Sequence, residues 1–124
     1  MGYQDDWMMR QISVLSHYVA KLVFGKSAVK YELGASDMLS ETDQLHLVLD
    51  RLIREHKICE AEDMLFENLS LDDRYVELAM DFYQKLNGMT DSELEESNFS
   101  RDEVYDGYIE ILTRLGIPVE QFVQ

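Results

Sequence analysis

The chain has 124 residues, 46% of them hydrophobic and 29% charged, a globular balance that excludes a disordered protein and gives one domain enough apolar mass for a core. Its 25 acids against 11 lysines and arginines leave a formal net charge of -14. That field repels nucleic-acid phosphates and anionic lipid heads, so neither nucleic acid nor a membrane is an expected partner, while basic proteins, peptides or cations are favoured. One proline and six glycines argue against a turn-rich all-β fold, and the lone cysteine, Cys59, excludes an internal disulfide framework.

The first predicted helix runs from about Asp5 to Phe24, with Asp5 and Asp6 at its positive end and Gly25 as its stop. Met8, Ile12, Leu15, Val19 and Leu22 recur at spacings of four and three, a continuous apolar seam. Trp7, Val14 and Tyr18 widen it on one flank, and Met9 and Val23 on the other. Asp5 and Asp6 stand where a signal peptide needs basic residues, and Arg10, His17 and Lys21 interrupt residues 7–24, so neither a leader nor a membrane span is expected. A cytoplasmic location follows as the expectation.

Residues 26–40 carry little periodicity. Residues 34–37 have turn composition, and residues 28–33 fit either an extended strand or one helical turn. A second helix spans about Thr42 to His56, with Leu45, Val48, Leu49, Leu52 and Ile53 as its buried stripe. A third follows at once, from about Ile58 to Leu69, so the two must form an antiparallel hairpin. The fourth, about Asp72 to Asn87, presents Tyr75, Leu78, Ala79, Phe82 and Leu86 and stops at Gly88. Thr90 with Glu93, and Ser100 with Glu103, read as capping boxes that open a short helical turn and a fifth main helix. That last helix buries Val104, Tyr108, Ile111, Leu112 and Leu115, and Gly107 inside it marks a close helix crossing. The expected fold is all-α, a single helical domain over residues 1–124, with an apolar N-terminal helix at 1–25 and helical hairpins at 41–124.

Residues 45–69 resemble a tetratricopeptide-type hairpin, with Leu49, Leu52 and Ile53 on one helix and Ala61, Leu65, Phe66 and Leu69 on the other. The repeat period is not kept, and its usual glycine and proline are missing. Most of the chain resembles a family of small acidic helical proteins of unknown function from Gram-positive bacteria. The segments that carry the likeness are Gln4–Ile12, Glu60–Phe66, Phe82–Asn87 and Asn98–Glu103. This resemblance implies a helical fold and no particular activity.

Two groups offer metal-ligand types: His46 with Asp50 on one helical face, and His56, Cys59, Glu60 and Asp63 around the hairpin turn. Neither contains a recognised metal motif, and solvated helix residues are the plainer reading, so no metal or cofactor is expected. Asp102 and Asp106 do not make a calcium loop, because Val104 and Thr113 stand where oxygen ligands and a glutamate are required. Cys59 is flanked by Glu60, Glu62 and Asp63, which disfavour a reactive thiolate. The aromatic residues Tyr75, Phe82, Tyr83, Phe99, Tyr105 and Tyr108 read as core, or alternatively as the lining of a peptide groove.

Charge is unevenly spread: residues 1–34 sum to +1 and the remaining 90 to -15. The expected function is a non-catalytic protein–protein interaction module with an acidic surface that takes a basic or peptide-like partner. The alternatives are a metal- or small-molecule-dependent enzyme using the His56–Asp63 corner, and an acidic DNA mimic, which requires the acids of helices three and four to share one face. The apolar arc of helix one is too wide for one contact. Trp7, Met8, Ile12, Leu15, Tyr18, Val19 and Leu22 are therefore its interface residues, shared between the domain and a second copy in a homodimer. A monomer whose other helices wrap helix one fits the same pattern.

Overall fold

The computed structural model describes residues 3–120, so residues 1, 2 and 121–124 of the expected domain lie outside the described residues. Among the described residues there are six α-helices: α1 Tyr3–Val19, α2 Glu41–Arg54, α3 Ile58–Glu67, α4 Asp73–Asn87, α5 Asp91–Glu96 and α6 Arg101–Arg114. The described chain contains no strand, and none of its helices is long and apolar enough to cross a membrane.

Helix α1 does not continue as α-helix to Phe24. At Ala20–Phe24 it widens into a π-helical turn, which ends at Gly25 in the left-handed region at φ 67°. A π turn advances each residue through a smaller angle than an α turn, and this changes which side chains face inward. Met8, Ile12, Leu15 and Val19 form the buried seam as expected, but Ala20 extends it, fully buried, while Leu22 is 52% exposed.

Helix starts follow their caps. Ser40 and Asp43 exchange side-chain and backbone hydrogen bonds at the head of α2, as do Thr90 and Glu93 at α5 and Ser100 and Glu103 at α6. The Asp72 side chain accepts from the Tyr75 N–H to cap α4. The short link between α2 and α3 passes through His56 at φ 61°, an uncommon conformation for a residue other than glycine. Ile58, Ala61 and Leu65 of α3 are then fully buried against the rest of the domain.

Helix α4 is the centre of the molecule and packs on α1, α2 and α6. Nine of its fifteen residues are buried, so it is sheathed on several sides where one stripe was expected. Val76, Met80 and Tyr83, outside that stripe, are 6% exposed or less. Tyr75 donates its hydroxyl to the Leu65 carbonyl at 2.6 Å, tying α4 to α3. Tyr108 of α6 shares a 2.8 Å hydrogen bond with Ser16 of α1, both buried.

Gly107 sits at the expected close approach. A Cβ there would lie 2.2 Å from Glu62 Oε2 and 2.7 Å from the Tyr83 hydroxyl. Tyr83 cannot retreat easily, since its ring stacks on Tyr108 at 5.2 Å and meets the edge of Phe82 at 5.0 Å. Leu115, expected to be buried, is only half-buried where α6 ends before Gly116 at φ 78°.

Candidate functional site

Two polar regions stand on this frame, and they differ in how their charges are balanced. The first joins α2, α4 and residues 26–40, the segment without periodicity. Val29 and Tyr31 are buried beneath it, and the rest of it is held by hydrogen bonds. Tyr31 donates its hydroxyl to Asp43 at 2.6 Å, Gly34 N–H donates to the same carboxylate at 3.3 Å, and Tyr31 N–H donates to Asp81 at 3.3 Å. Gln84 donates to the Val29 carbonyl at 3.3 Å. Arg74 closes the network, with its guanidinium 4.2 Å above the Tyr31 ring, 3.0 Å from Asp43 and 2.9 Å from Glu77.

Asp43 is 2% exposed, and the hydrogen bond from Tyr31, helped by those from Ser40 and Gly34, lowers its pKa to about 2. Burial, then the bond to Asp43, pushes the Tyr31 phenol up to about 12. Beside them His46, Asp50 and Asp81 bring three ligand-type atoms within 4.8 Å of one another. His46 Nε2 is 3.3 Å from Asp50, and its ring lies 4.7 Å from that of Tyr31. The Lys85 ammonium already occupies the middle, 2.6 Å from Asp50 and 2.8 Å from Asp81. The cation position is thus filled by the chain's own lysine, one ammonium shared between two carboxylates. It borders an open cleft of about 550 Å³ lined by Ala28, Val29, Lys30, Asp81, Gln84 and Lys85.

The second region lies on α3 and α6. Helix α3 contains Glu60, Glu62, Asp63 and Glu67 and no lysine or arginine. From α6, Glu103 comes close enough to act on Cys59 and Glu62, and Asp106 is exposed three residues further on. Arg101 is 7% exposed and bonds Asp91 at 3.1 Å and the carbonyls of Asn87 and Met89. Arg114 bonds Glu110 at 2.7 Å and lies 5.2 Å from the centre of the Phe66 ring. Glu62 is half-buried and accepts the Tyr83 hydroxyl at 2.6 Å. Burial raises its pKa, and Glu103 and Asp63 add to the rise. Burial also raises the Cys59 thiol, followed by the charges of Glu103, Glu62, Asp63 and Glu60. Carboxylates of two helices thus converge around Glu62, and among the described residues no lysine or arginine is paired with Glu60, Glu62, Asp63 or Glu103, although Arg114 rests on Phe66 of α3.

His56, Cys59 and Asp63 are not brought together as a ligand set. All three are exposed, and His56 turns to Glu96 of α5, 3.4 Å away. The described residues contain one close group of three ligand types, and it is the His46 group. There the sequence pattern named His46 and Asp50 but missed Asp81 and Lys85. The Asp81–Lys85 spacing of four is the signal that could have found them. Asp43 and Arg74 were also missed, although the Ser40-x-x-Asp43 cap was readable.

Of the interface residues predicted on helix one, Met8, Ile12, Leu15 and Val19 lie inside this chain and cannot reach a partner in this fold. Trp7 is 37% exposed and packs its ring 5.7 Å from Tyr105. Tyr18 is half-buried, and Leu22 is turned outward with Val14, which is 51% exposed. Of the aromatic candidates, Tyr75, Phe82, Tyr83, Phe99 and Tyr108 are core, each 4% exposed or less, and Tyr105 is half-buried.

The chain belongs to a family of unknown function, DUF6483, whose model matches residues 2–116. No curated protein and no solved structure matches it.

Proposed function

We propose that this DUF6483 member is a non-catalytic interaction module that holds a basic protein or peptide against the acidic face of α3 and α6. The observation that carries the reading is the position of Glu103, close enough across the helix pair to raise both Cys59 and Glu62. A face whose carboxylates repel one another gains when a lysine or arginine side chain settles among them. Burial, helped by the same acids, raises the Cys59 thiol, which suits docking better than nucleophilic chemistry. A DNA mimic would need the acids of α4 on this face, but Glu77 is tied to Arg74, and Asp81 to Lys85.

Calorimetric titration with an oligolysine peptide at low and high salt tests the reading. Binding is expected to weaken with salt, and to strengthen as pH rises through the raised pKa of Glu62. Reversal of Glu60, Asp63 and Asp106 to lysine should remove most of the affinity. Reversal of three other exposed acids, Glu32, Asp37 and Glu95, should cost much less. Equal losses from the two triple variants would mean that overall acidity binds the peptide and that the α3–α6 face has no special part.

A further inference from the structure

Residues 7–31 hold Arg10, Lys21, Lys26 and Lys30 and no acid, in a chain where acids outnumber lysines and arginines by 25 to 11. The fold bends this stretch back on itself. Helix α1 ends in the Ala20–Phe24 π turn and the left-handed Gly25, and Ser27 and Ala28 then share a pocket of about 290 Å³ with Ser13, Ser16 and His17. Gln84, Asn87 and Gly88, at the end of α4, complete it. Single π turns are rare and recur at functional sites. No residue of α3 or α6 lines this pocket, so it lies apart from the docking face proposed above.

Its lining is polar without lysine, arginine or carboxylate: hydroxyls, two amides and one imidazole. Gln84 spends its nitrogen on the Val29 and Met80 carbonyls, which leaves its Oε1 as an acceptor. Asn87 donates its nitrogen to the Met9 carbonyl at 3.2 Å and to the Ser13 hydroxyl at 3.4 Å. A carbonyl can only accept, so this amide cannot turn round. Its Oδ1 is left buried with no hydrogen-bond partner, one of two such side-chain atoms among the described residues. An unpaired buried acceptor is costly, and a hydroxyl from a bound molecule would supply the donor it lacks.

The pocket runs into the open cleft beside Lys85, since Ala28 and Gln84 line both. Lys85 is held there by Asp50 and Asp81, but Lys30, which also lines the cleft, is exposed and in no ion pair among the described residues. An anion is repelled by most of this chain and attracted here. No phenylalanine, tyrosine or tryptophan lines either part, so nothing stacks a nucleobase. Ala28 and Val29 are the apolar side chains, too few to hold a lipid chain. We propose that this groove binds a small sugar or polyol phosphate, with its hydroxyls among Ser13, Ser27, Gln84 and Asn87 and its phosphate at Lys30. Hydroxyls both donate and accept, as the lining requires, and the phosphate finds the cation that the chain leaves unpaired.

Amide chemical shifts of the full chain, titrated with glycerol 3-phosphate, ribose 5-phosphate, glucose 6-phosphate, glucose and inorganic phosphate, test this. At least one of the three phosphorylated polyols is expected to give saturable shifts at residues 13–17, 26–30 and 84–88, in the low millimolar range or tighter. Glucose and inorganic phosphate should each bind about tenfold more weakly, because each makes one half of the contacts. Lys30→Ala should bring the phosphorylated ligand down by about the same factor, the loss of one charge-assisted contact. Ser27→Phe, at an exposed position, should fill the groove and abolish binding with helical circular dichroism intact. It should leave the oligolysine titration unchanged, so the groove and the acidic face stand or fall separately. Shifts with none of the three phosphorylated polyols, or binding that survives Ser27→Phe, overturn the proposal. Inorganic phosphate binding as tightly as the best of them would reduce the groove to an anion site and overturn it equally.

Discussion

The two polar regions of this protein use the same acidic side chains to opposite ends. Between α2 and α4, every carboxylate that is buried or half-buried meets a cation: Asp43 and Glu77 meet Arg74, and Asp50 and Asp81 meet Lys85. Between α3 and α6, Glu62 is half-buried beside Glu103 and Asp63, and its close polar partner is a neutral phenol. The first arrangement uses charge to pin a segment that has almost no apolar anchor of its own. The second leaves a field directed outward. An overall charge of -14 conceals this division, because it sums a region whose acids share two cations with a face whose central acids are paired with none.

The comparison is broken most severely at Lys85. Lys85→Met keeps the apolar stem and removes the ammonium, leaving Asp50 and the 7%-exposed Asp81 to face each other. Losing one partner of a buried ion pair costs about 3–5 kcal/mol, and the part-exposure of Lys85 brings the expected loss to about 2 kcal/mol by denaturant unfolding. Zinc should raise the thermal midpoint of this variant through His46, Asp50 and Asp81, and should leave that of the parent unmoved. A parent that zinc stabilises equally would mean that the ammonium does not hold the cation position.

Gly107→Ala tests the other side. The substitution gains about 1 kcal/mol of helix propensity but pushes a Cβ into Glu62 and the wedged Tyr83 ring. Overpacking of this kind costs about 1–3 kcal/mol, so a net destabilisation of about 1 kcal/mol is expected. A stabilised variant would show that Glu62 and Tyr83 can move apart, and that the α3–α6 contact is looser than its distances imply.

Where local rules act, the fold was legible. The capping boxes at Thr90 and Ser100, the hairpin at residues 55–57 and the crossing at Gly107 all follow from neighbouring residues. What was not legible depends on partners distant in sequence. Periodicity assigns one buried stripe per helix, so it could not show that α4 is enclosed by three others and buries Met80 and Tyr83 as well. It assumes a constant angle per residue, so it placed Leu22 in a seam that the π turn diverts to Ala20. Tyr31 and Arg74 lie 43 residues apart, and no spacing rule joins them.

Acid and alkali should act on the balanced region. Asp43 titrates at about 2 in the fold against 3.8 for an ordinary aspartate. Its contribution is therefore complete above about pH 4 and is lost as pH falls toward 2. Tyr31 is raised from 10.0 to about 12, so the fold favours the neutral phenol, and stability should fall as pH rises between those values. Asp43→Asn should flatten the acid limb of a pH–stability profile and shrink the alkaline limb without abolishing it, because burial still raises the Tyr31 phenol once the charge of Asp43 is gone. An unchanged acid limb in that variant would place the acid sensitivity elsewhere.

The smallest effect belongs to Glu62, and its sign is the informative part. Glutamine in its place still offers a carbonyl oxygen to the Tyr83 hydroxyl and removes a charge that burial, Glu103 and Asp63 all oppose. Repulsion and burial cost at pH 7 are thereby relieved, and the weaker neutral hydrogen bond offsets part of the gain. Glu62→Gln is expected to stabilise the fold by a few tenths of a kcal/mol at neutral pH, and by less in acid, where the parent carboxyl is itself protonated. The same variant should bind oligolysine more weakly than the parent, because the proposed docking face has lost a charge at its centre. Gained stability together with lost affinity identifies a carboxylate kept for a partner at the expense of the fold. A variant that loses stability instead would assign Glu62 to the packing at Gly107 and leave the docking face to Glu60, Asp63, Glu103 and Asp106.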